Sequence, residues 1–305
     1  MVLSAIVALA ALQQALGAKE EASRWYGELT LTATLDAQKG FRKNGMVYFA
    51  VPSSDRTQDV KFALLSKQRH RITASYENDL VFLEPDGRPV QFEIRMSLKK
   101  LDLRPEIANY EKNEPGQVPS VIAKNWLKPG VVVDSSHPSF KRIADFVRQP
   151  HPVATVRKVL QWMDKFFGKK NVFPELPASR SLARGQGECA ANSMVFVGIC
   201  QAAGVPARVV QGLVGNDFES LPVKGSLGTH MWAEVYFAGL GWVPVEPQRP
   251  ESLGFLEAGR FLHPYIKQEH WDPTVSQYLP LNGYDISGAS NLGIMTGTPF
   301  ITYVR

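Results

Sequence analysis

Cysteine is nearly absent: 305 residues contain two, Cys189 and Cys200, too few for the disulfide framework of a small secreted fold. They stand eleven positions apart in a stretch that reads as one helix, where a rise of ~1.5 Å per residue separates them by ~16 Å, far beyond the ~7 Å reach of a disulfide. Both thiols are therefore expected to be free, with Cys200, set among apolar residues, a small core hydrophobe. Long hydrophobic runs are missing too. No segment approaches the ~18 apolar residues of a spanning helix, which excludes an integral membrane segment of that kind. The apolar run over residues 2–12 is shorter, and small residues around Ala15 and Gly17 and the charge of Lys19 follow it. It fits the core of a signal peptide over residues 1–18, without the usual preceding Lys or Arg, and predicts export to the periplasm or the medium, the alternative being a buried amphipathic start in a cytoplasmic protein.

Charge of one sign is also scarce. Lys plus Arg number 34 against 29 for Asp plus Glu, a net +5, and no dense basic block interleaved with aromatics is present, so a nucleic-acid partner is not expected. The short basic runs at 39–43, 67–71 and 97–100 read as solvated strand faces and turns. Metal-ligand patterns are lacking as well: no His pair recurs at i, i+4, the two cysteines are too far apart to share an ion, and His263 with His270 has no evident third ligand. No metal and no cofactor is expected.

What is present is an α+β pattern. Over residues 24–104, "GELTLTATL" and "PVQFEIRMSL" alternate apolar with polar residues, and "MVYFAV", "VKFALL" and "RITASY" add short strands, with "EPDGRP" (84–89) as a turn. Five or six strands predict a β-sandwich-like N-terminal domain. Residues 105–134 are rich in proline and polar residues and read as a connector. From 135 to 305 a second domain opens with two helices. The first begins at Ser135 or Ser136 ahead of Pro138, and the second spaces Val156, Val159, Leu160, Met163 and Phe166 or Phe167 at helical intervals, ending at Gly168. A third helix starts at Cys189, carries no charge between Ala190 and Ala207, and is expected to be buried all round; Gly204 and Pro206 stop it. The strand "ARVVQGLV" and the hairpin "HMWAEVYF"/"GWVPVEP" follow, and the last 55 residues are expected to wrap this domain.

One cysteine has a placement that a structural thiol does not need. The thiolate is the nucleophilic form, and a helix N-terminus, where backbone N–H groups lack partners, favours it. Cys189 sits there. Gly185, Gln186 and Gly187 before it allow a sharp turn and the approach of a substrate, and the Cys189 amide with the Gln186 side chain could face an oxyanion. A base is available in His230, at the start of a strand whose residues Met231, Ala233, Val235 and Phe237 face the core, leaving His230, Trp232, Glu234 and Tyr236 on the other face. If Tyr236 pairs with Trp242, then Trp232 faces Glu246, and His230 and Glu246 lie diagonally on one face with Cβ atoms roughly 7 Å apart. A register shifted by one would leave Glu234 as the nearby carboxylate. Trp232 and Trp242 are candidates for the wall of a substrate channel, against a plain packing role.

The segments "GECAANSMVFVGICQAAGVPARVVQGLV" and "GTHMWAEVYFAGLGWVPVEPQ", over 184–248, resemble the core of the bacterial transglutaminase-like superfamily, which has a papain-like Cys, His, Asp order and commonly an N-terminal β domain. The resemblance implies Cys189 as nucleophile, His230 as general base and acid, and Glu246 as the residue that orients the histidine. Two departures stand out. Glu246 replaces the usual Asp, and the Glu-His pair frequent just after the cysteine is here Ala191 and Asn192, with Asn192 one turn on as candidate polar support. The expected activity is thiol acyl transfer on amide bonds of peptides or proteins, hydrolysis favoured over amine crosslinking; the alternative is a non-catalytic binding protein on the same fold.

Overall fold

A computed structural model describes residues 25–35, 42–43, 46–51, 54–65, 67–75, 78–83, 90–99, 101–215, 227–255, 265–270 and 301–304. The signal-peptide segment, the turn at 84–89 and most of the C-terminal tail lie outside them. Among the described residues no helix is long and apolar enough to cross a membrane.

Alternation drives the first half of the chain into strands: β1 (Trp25–Leu35), β2 (Arg42–Lys43), β3 (Met46–Val51), β4 (Gln58–Leu64), β5 (His70–Ser75), β6 (Asn78–Leu83) and β7 (Val90–Lys99). They form two antiparallel four-stranded sheets. One has the order β14-β1-β7-β4 and includes the C-terminal β14 (Ile301–Val304); the other has the order β2-β3-β6-β5. The long β1 and β7 pair from Trp25 with Lys99 to Leu35 with Val90.

The proline-rich stretch that follows folds against the core. It contains α1 (Arg104–Tyr110) and α2 (Ser120–Trp126), which bury Ile107, Ile122 and Trp126. Tyr110 stacks on Phe237 at 5.8 Å between ring centroids. Next come α3 (Pro138–Val147) and α4 (Pro152–Phe166), each with Pro at its first turn, where a missing N–H costs nothing. Their caps are His137 and His151 rather than a serine: Nδ1 of each ring accepts from the backbone N–H two residues on, at 3.2 and 3.3 Å. After β8 (Gly168–Lys169), α5 (Ala178–Arg184) and β9 (Gln186–Gly187) comes α6 (Cys189–Ala202).

Helix α6 is the centre of the core. Apart from its two ends, Cys189 and Ala202, every residue in it is buried, as an uncharged helix requires. It is stopped by Gly204 at φ 89°, and the Val205 N–H closes back on the Cys200 carbonyl at 2.9 Å. One side packs on the sheet β12-β11-β10-β13, composed of β10 (Ala207–Gly215), β11 (Leu227–Phe237), β12 (Gly241–Val245) and β13 (Tyr265–His270); the other sides meet α3, α4 and α5. The C-terminal segment thus adds β13 to this sheet and β14 to the N-terminal one. Met231, Ala233, Val235 and Phe237 join Val195, Phe196 and Ile199 in the main core. The close approach of α3 relies on a missing side chain, because a Cβ at Gly198 would lie 2.7 Å from the Phe140 ring.

Gly198→Ala is accordingly expected to overpack the core and to cost about 1–3 kcal/mol in chemical denaturation. Adding Phe140→Leu should recover part of that loss, a coupling that a double-mutant cycle would measure.

Candidate active site

Cys189 is the first residue of α6, and the chain before it is held on three sides. The parallel strands β8 and β9 pair Gly168 with Gln186 and Lys169 with Gly187. Arg184 holds the neighbouring loop with its whole guanidinium: Nε donates to the Gln186 carbonyl at 3.0 Å, Nη2 to the Phe173 carbonyl at 2.7 Å, and Nη1 to Glu175 at 3.0 Å. The Glu188 N–H donates to the Val172 carbonyl at 3.1 Å. From inside the helix, the buried Asn192 amide donates to the Gly187 carbonyl at 2.8 Å and the Glu188 carbonyl at 2.9 Å. Asn192 therefore fixes the turn that presents the cysteine and does not reach the histidine. Gly187 permits the contact, since a Cβ there would fall 2.2 Å from that of Ala191.

The thiols differ as expected. Both are free, Cys189 partly exposed and Cys200 buried, and burial pushes the Cys200 thiol well above its ordinary range. An exposed thiol at a helix start can react; one sealed in a core cannot.

On the sheet, Tyr236 pairs with Trp242 and Ala233 with Val245, the register that sets His230 and Glu246 on one face. His230 Nε2 lies 2.5 Å from Glu246 Oε2, with the two side chains 16% and 4% exposed. Glu246 is fixed in turn. Its other oxygen accepts from the Gln248 N–H at 3.1 Å, and Ser252 Oγ bridges its backbone, accepting from its N–H at 2.8 Å and donating to its carbonyl at 2.9 Å. With Nε2 committed to the carboxylate, Nδ1 is the ring nitrogen left for Cys189. Burial alone would push His230 down, but hydrogen bonds to Cys189 and Glu246 and the charges of those groups outweigh it and raise the imidazole from 6.5 to about 10. The two partners thus favour the protonated ring.

The other carboxylate on this face is engaged elsewhere. Arg208, directly across from Glu234, donates to it through Nε at 2.7 Å and Nη2 at 2.6 Å, both side chains almost fully buried. The guanidinium carbon lies 3.8 Å from the centroid of Trp242 and 5.5 Å from that of Trp126. The two tryptophans separate accordingly. Trp232 is 1% exposed and stacked beside the His230 ring at 6.3 Å, so it backs the imidazole without lining an open passage. Trp242 pairs with Tyr236, six residues along β11 from His230, which places it roughly 20 Å from the imidazole at ~3.3 Å per residue. It belongs to the arginine cluster, so the two rings do not face one channel. Gln186 is partly buried three residues before the thiol.

Two contributors escaped the sequence reading. Ser252, which locks Glu246, sits in an irregular turn with no pattern around it. Glu188 lies beside the nucleophile: the Cys189 thiol donates to its Oε2 over 3.5 Å. Its signal was available in "GEC", the one charge bordering an uncharged helix. Among the described residues no group of three or more His, Cys, Asp or Glu could hold a metal ion.

Comparison with known proteins bears on the fold that carries these residues. Residues 141–247 match the model of the transglutaminase-like superfamily core. A Haemophilus influenzae protein described as uncharacterized is 36% identical over 76 residues, covering 20% of this chain and 21% of that protein. The uncharacterized protein YebA of Bacillus subtilis is 34% identical over 82 residues, covering 25% of this chain and 11% of that protein. Only a minor part of either relative is therefore spanned. Among solved structures, a candidate cysteine protease from Cytophaga hutchinsonii has a TM-score of 0.51 at 13% identity, covering 82% of each chain, a likeness of fold. Members of the superfamily are generally cysteine-based enzymes. The core match over residues 141–247 and the mixed helix-and-sheet fold support a transglutaminase-like core in this chain.

Proposed function

We propose that this chain is a thiol acyl-transfer enzyme acting on amide bonds of peptides or proteins, with hydrolysis as its ordinary outcome. The observation that carries the reading is the His230 ring held at Nε2 by Glu246 and hydrogen-bonded to Cys189, contacts that raise the imidazole to about 10. Such a ring stabilises a neighbouring thiolate and is ready to give up its proton. In the proposed cycle the Cys189 sulfur attacks the amide carbonyl, and the Cys189 N–H, helped by the Gln186 side chain, meets the oxyanion. The tetrahedral intermediate collapses with cleavage of the C–N bond, and His230 passes its proton to the departing amine. A thioester remains. His230, now neutral, takes a proton from water as the water attacks; the C–S bond breaks, the acid leaves, and the thiolate–imidazolium pair is restored. Glu246 keeps the ring's orientation and tautomer through both halves. Transfer to an amine would need water kept from the thioester, whereas Trp232 is buried packing and Trp242 lies elsewhere, so hydrolysis is favoured. In this reading residues 135–305 form the catalytic domain and the strands of 24–104 an accessory β-sandwich-like domain.

Iodoacetamide followed by intact mass should label Cys189 alone at pH 7. His230→Ala should slow that labelling by about tenfold or more and abolish amide cleavage, a loss in the range of 10²–10⁴ for a missing acid–base group, while Cys200→Ala leaves both unchanged. Full reactivity in His230→Ala would instead favour a binding protein on this fold.

The raised imidazole also links folding to pH. Its folded value of about 10 lies above the ordinary ~6.5, so the stability it contributes is complete below pH ~6.5 and lost as pH rises toward 10. Denaturation midpoints of the wild type should fall across that window, and Glu246→Gln, which removes one cause of the shift, should flatten the decline.

A further inference from the structure

Glu188 is a carboxylate with an unfinished set of contacts. Its Oε2 accepts from the Cys189 thiol at 3.5 Å. Its Oε1 is shut off from solvent and has no hydrogen-bond partner, and among the described residues no Lys or Arg pairs with it. Arg184, the cation built into the same turn, spends its donors on Gln186, Phe173 and Glu175. Burial raises the Glu188 carboxyl above its ordinary range, against the hydrogen bonds from the Cys189 thiol and the Ala190 N–H and the charge of His230, and His230 is itself held by Cys189 and Glu246. A carboxylate oxygen withdrawn from water and left without a donor costs free energy unless something supplies one. Beside a nucleophile, the group that arrives is the substrate.

From this geometry we infer that Glu188 determines specificity by receiving an ammonium group carried within two or three bonds of the reacting carbonyl carbon. The inference rests on the acyl-transfer reading of Cys189. In a near-attack pose the carbonyl carbon stands ~3–3.5 Å from the sulfur. A nitrogen one carbon beyond it can then lie against a carboxylate that is itself 3.5 Å from the same sulfur. An amino group α to the attacked carbonyl, as in an unblocked N-terminal residue, meets that condition; a blocked one offers a weaker, neutral donor.

The test uses two thiol-directed methanethiosulfonates of equal length, the cationic 2-aminoethyl and the neutral 2-hydroxyethyl reagent. Each forms a disulfide with Cys189 and expels methanesulfinate, and rates are normalised to those of a free thiol. In the full chain the normalised cation-to-neutral ratio should be about tenfold, as a charge pair at this separation allows. Glu188→Gln should lower this ratio at least fivefold, whatever it does to the rate of the neutral reagent itself, and Glu188→Asp, which keeps the charge on a shorter arm, should retain part of the preference. A ratio near one, or a preference that survives Glu188→Gln, would overturn the role of Glu188 while labelling by the neutral reagent still depended on His230. Neutral labelling indifferent to His230→Ala would overturn the acyl-transfer reading and this inference with it.

Discussion

Side chains alternate across a strand, so the pairing of Tyr236 with Trp242 decides which carboxylate meets His230. In the observed register Glu246 reaches Nε2 and Glu234 is carried to Arg208. A slip by one residue would put Glu246 on the helix side of the sheet, where Val243 and Val245 now pack, and bury an unpaired charge in the core. The Arg208–Glu234 pair lies across the other edge of β11, between β10 and β11, and fixes that strand's own facing. Burial of Val243 and Val245 thus holds the β11–β12 register, and Trp242 of β12 is seated against Arg208 of β10 and Tyr236 of β11.

The other half of the geometry comes from α6. Its apolar surface buries it between the sheet and three helices, which leaves its N-terminus as the end that carries the partly exposed thiol. Asn192 and Gly187 then set the angle at which the thiol emerges, one by binding the two preceding carbonyls and the other by having no side chain to obstruct Ala191. A buried, rigid helix with a single partly exposed sulfur at its end meets a strand whose histidine is fixed from behind.

Much of this was legible in the residues. The start of α6 at Cys189, its burial all round and its stop at Gly204 follow from charge distribution and glycine placement, whereas strand alternation left the Tyr236–Trp242 register as one of two. What escaped depends on three-dimensional competition. Glu246 and Glu234 are alike in sequence, and only the cross-strand position of Arg208 separates them. Histidine takes the cap before Pro138 in place of the adjacent serines, because its ring accepts the Ser139 N–H. The prolines of 105–134 suggested a linker, yet Ile107 and Trp126 find apolar surface and fold that stretch onto the core. Strand β6, bounded by Asn and Asp, shows little alternation, although it pairs with strands on both sides. Ser252 and Glu188 act through single contacts that no periodicity announces.

The central claim is that His230 stays protonated between Cys189 and Glu246 at physiological pH. Nitrogen-detected NMR of the His230 ring across pH 5 to 11 tests it most directly. Both ring nitrogens should remain protonated through pH 8, with titration near 10. A ring that loses its proton near the ordinary ~6.5 would contradict the account, leaving Cys189 without an imidazolium partner.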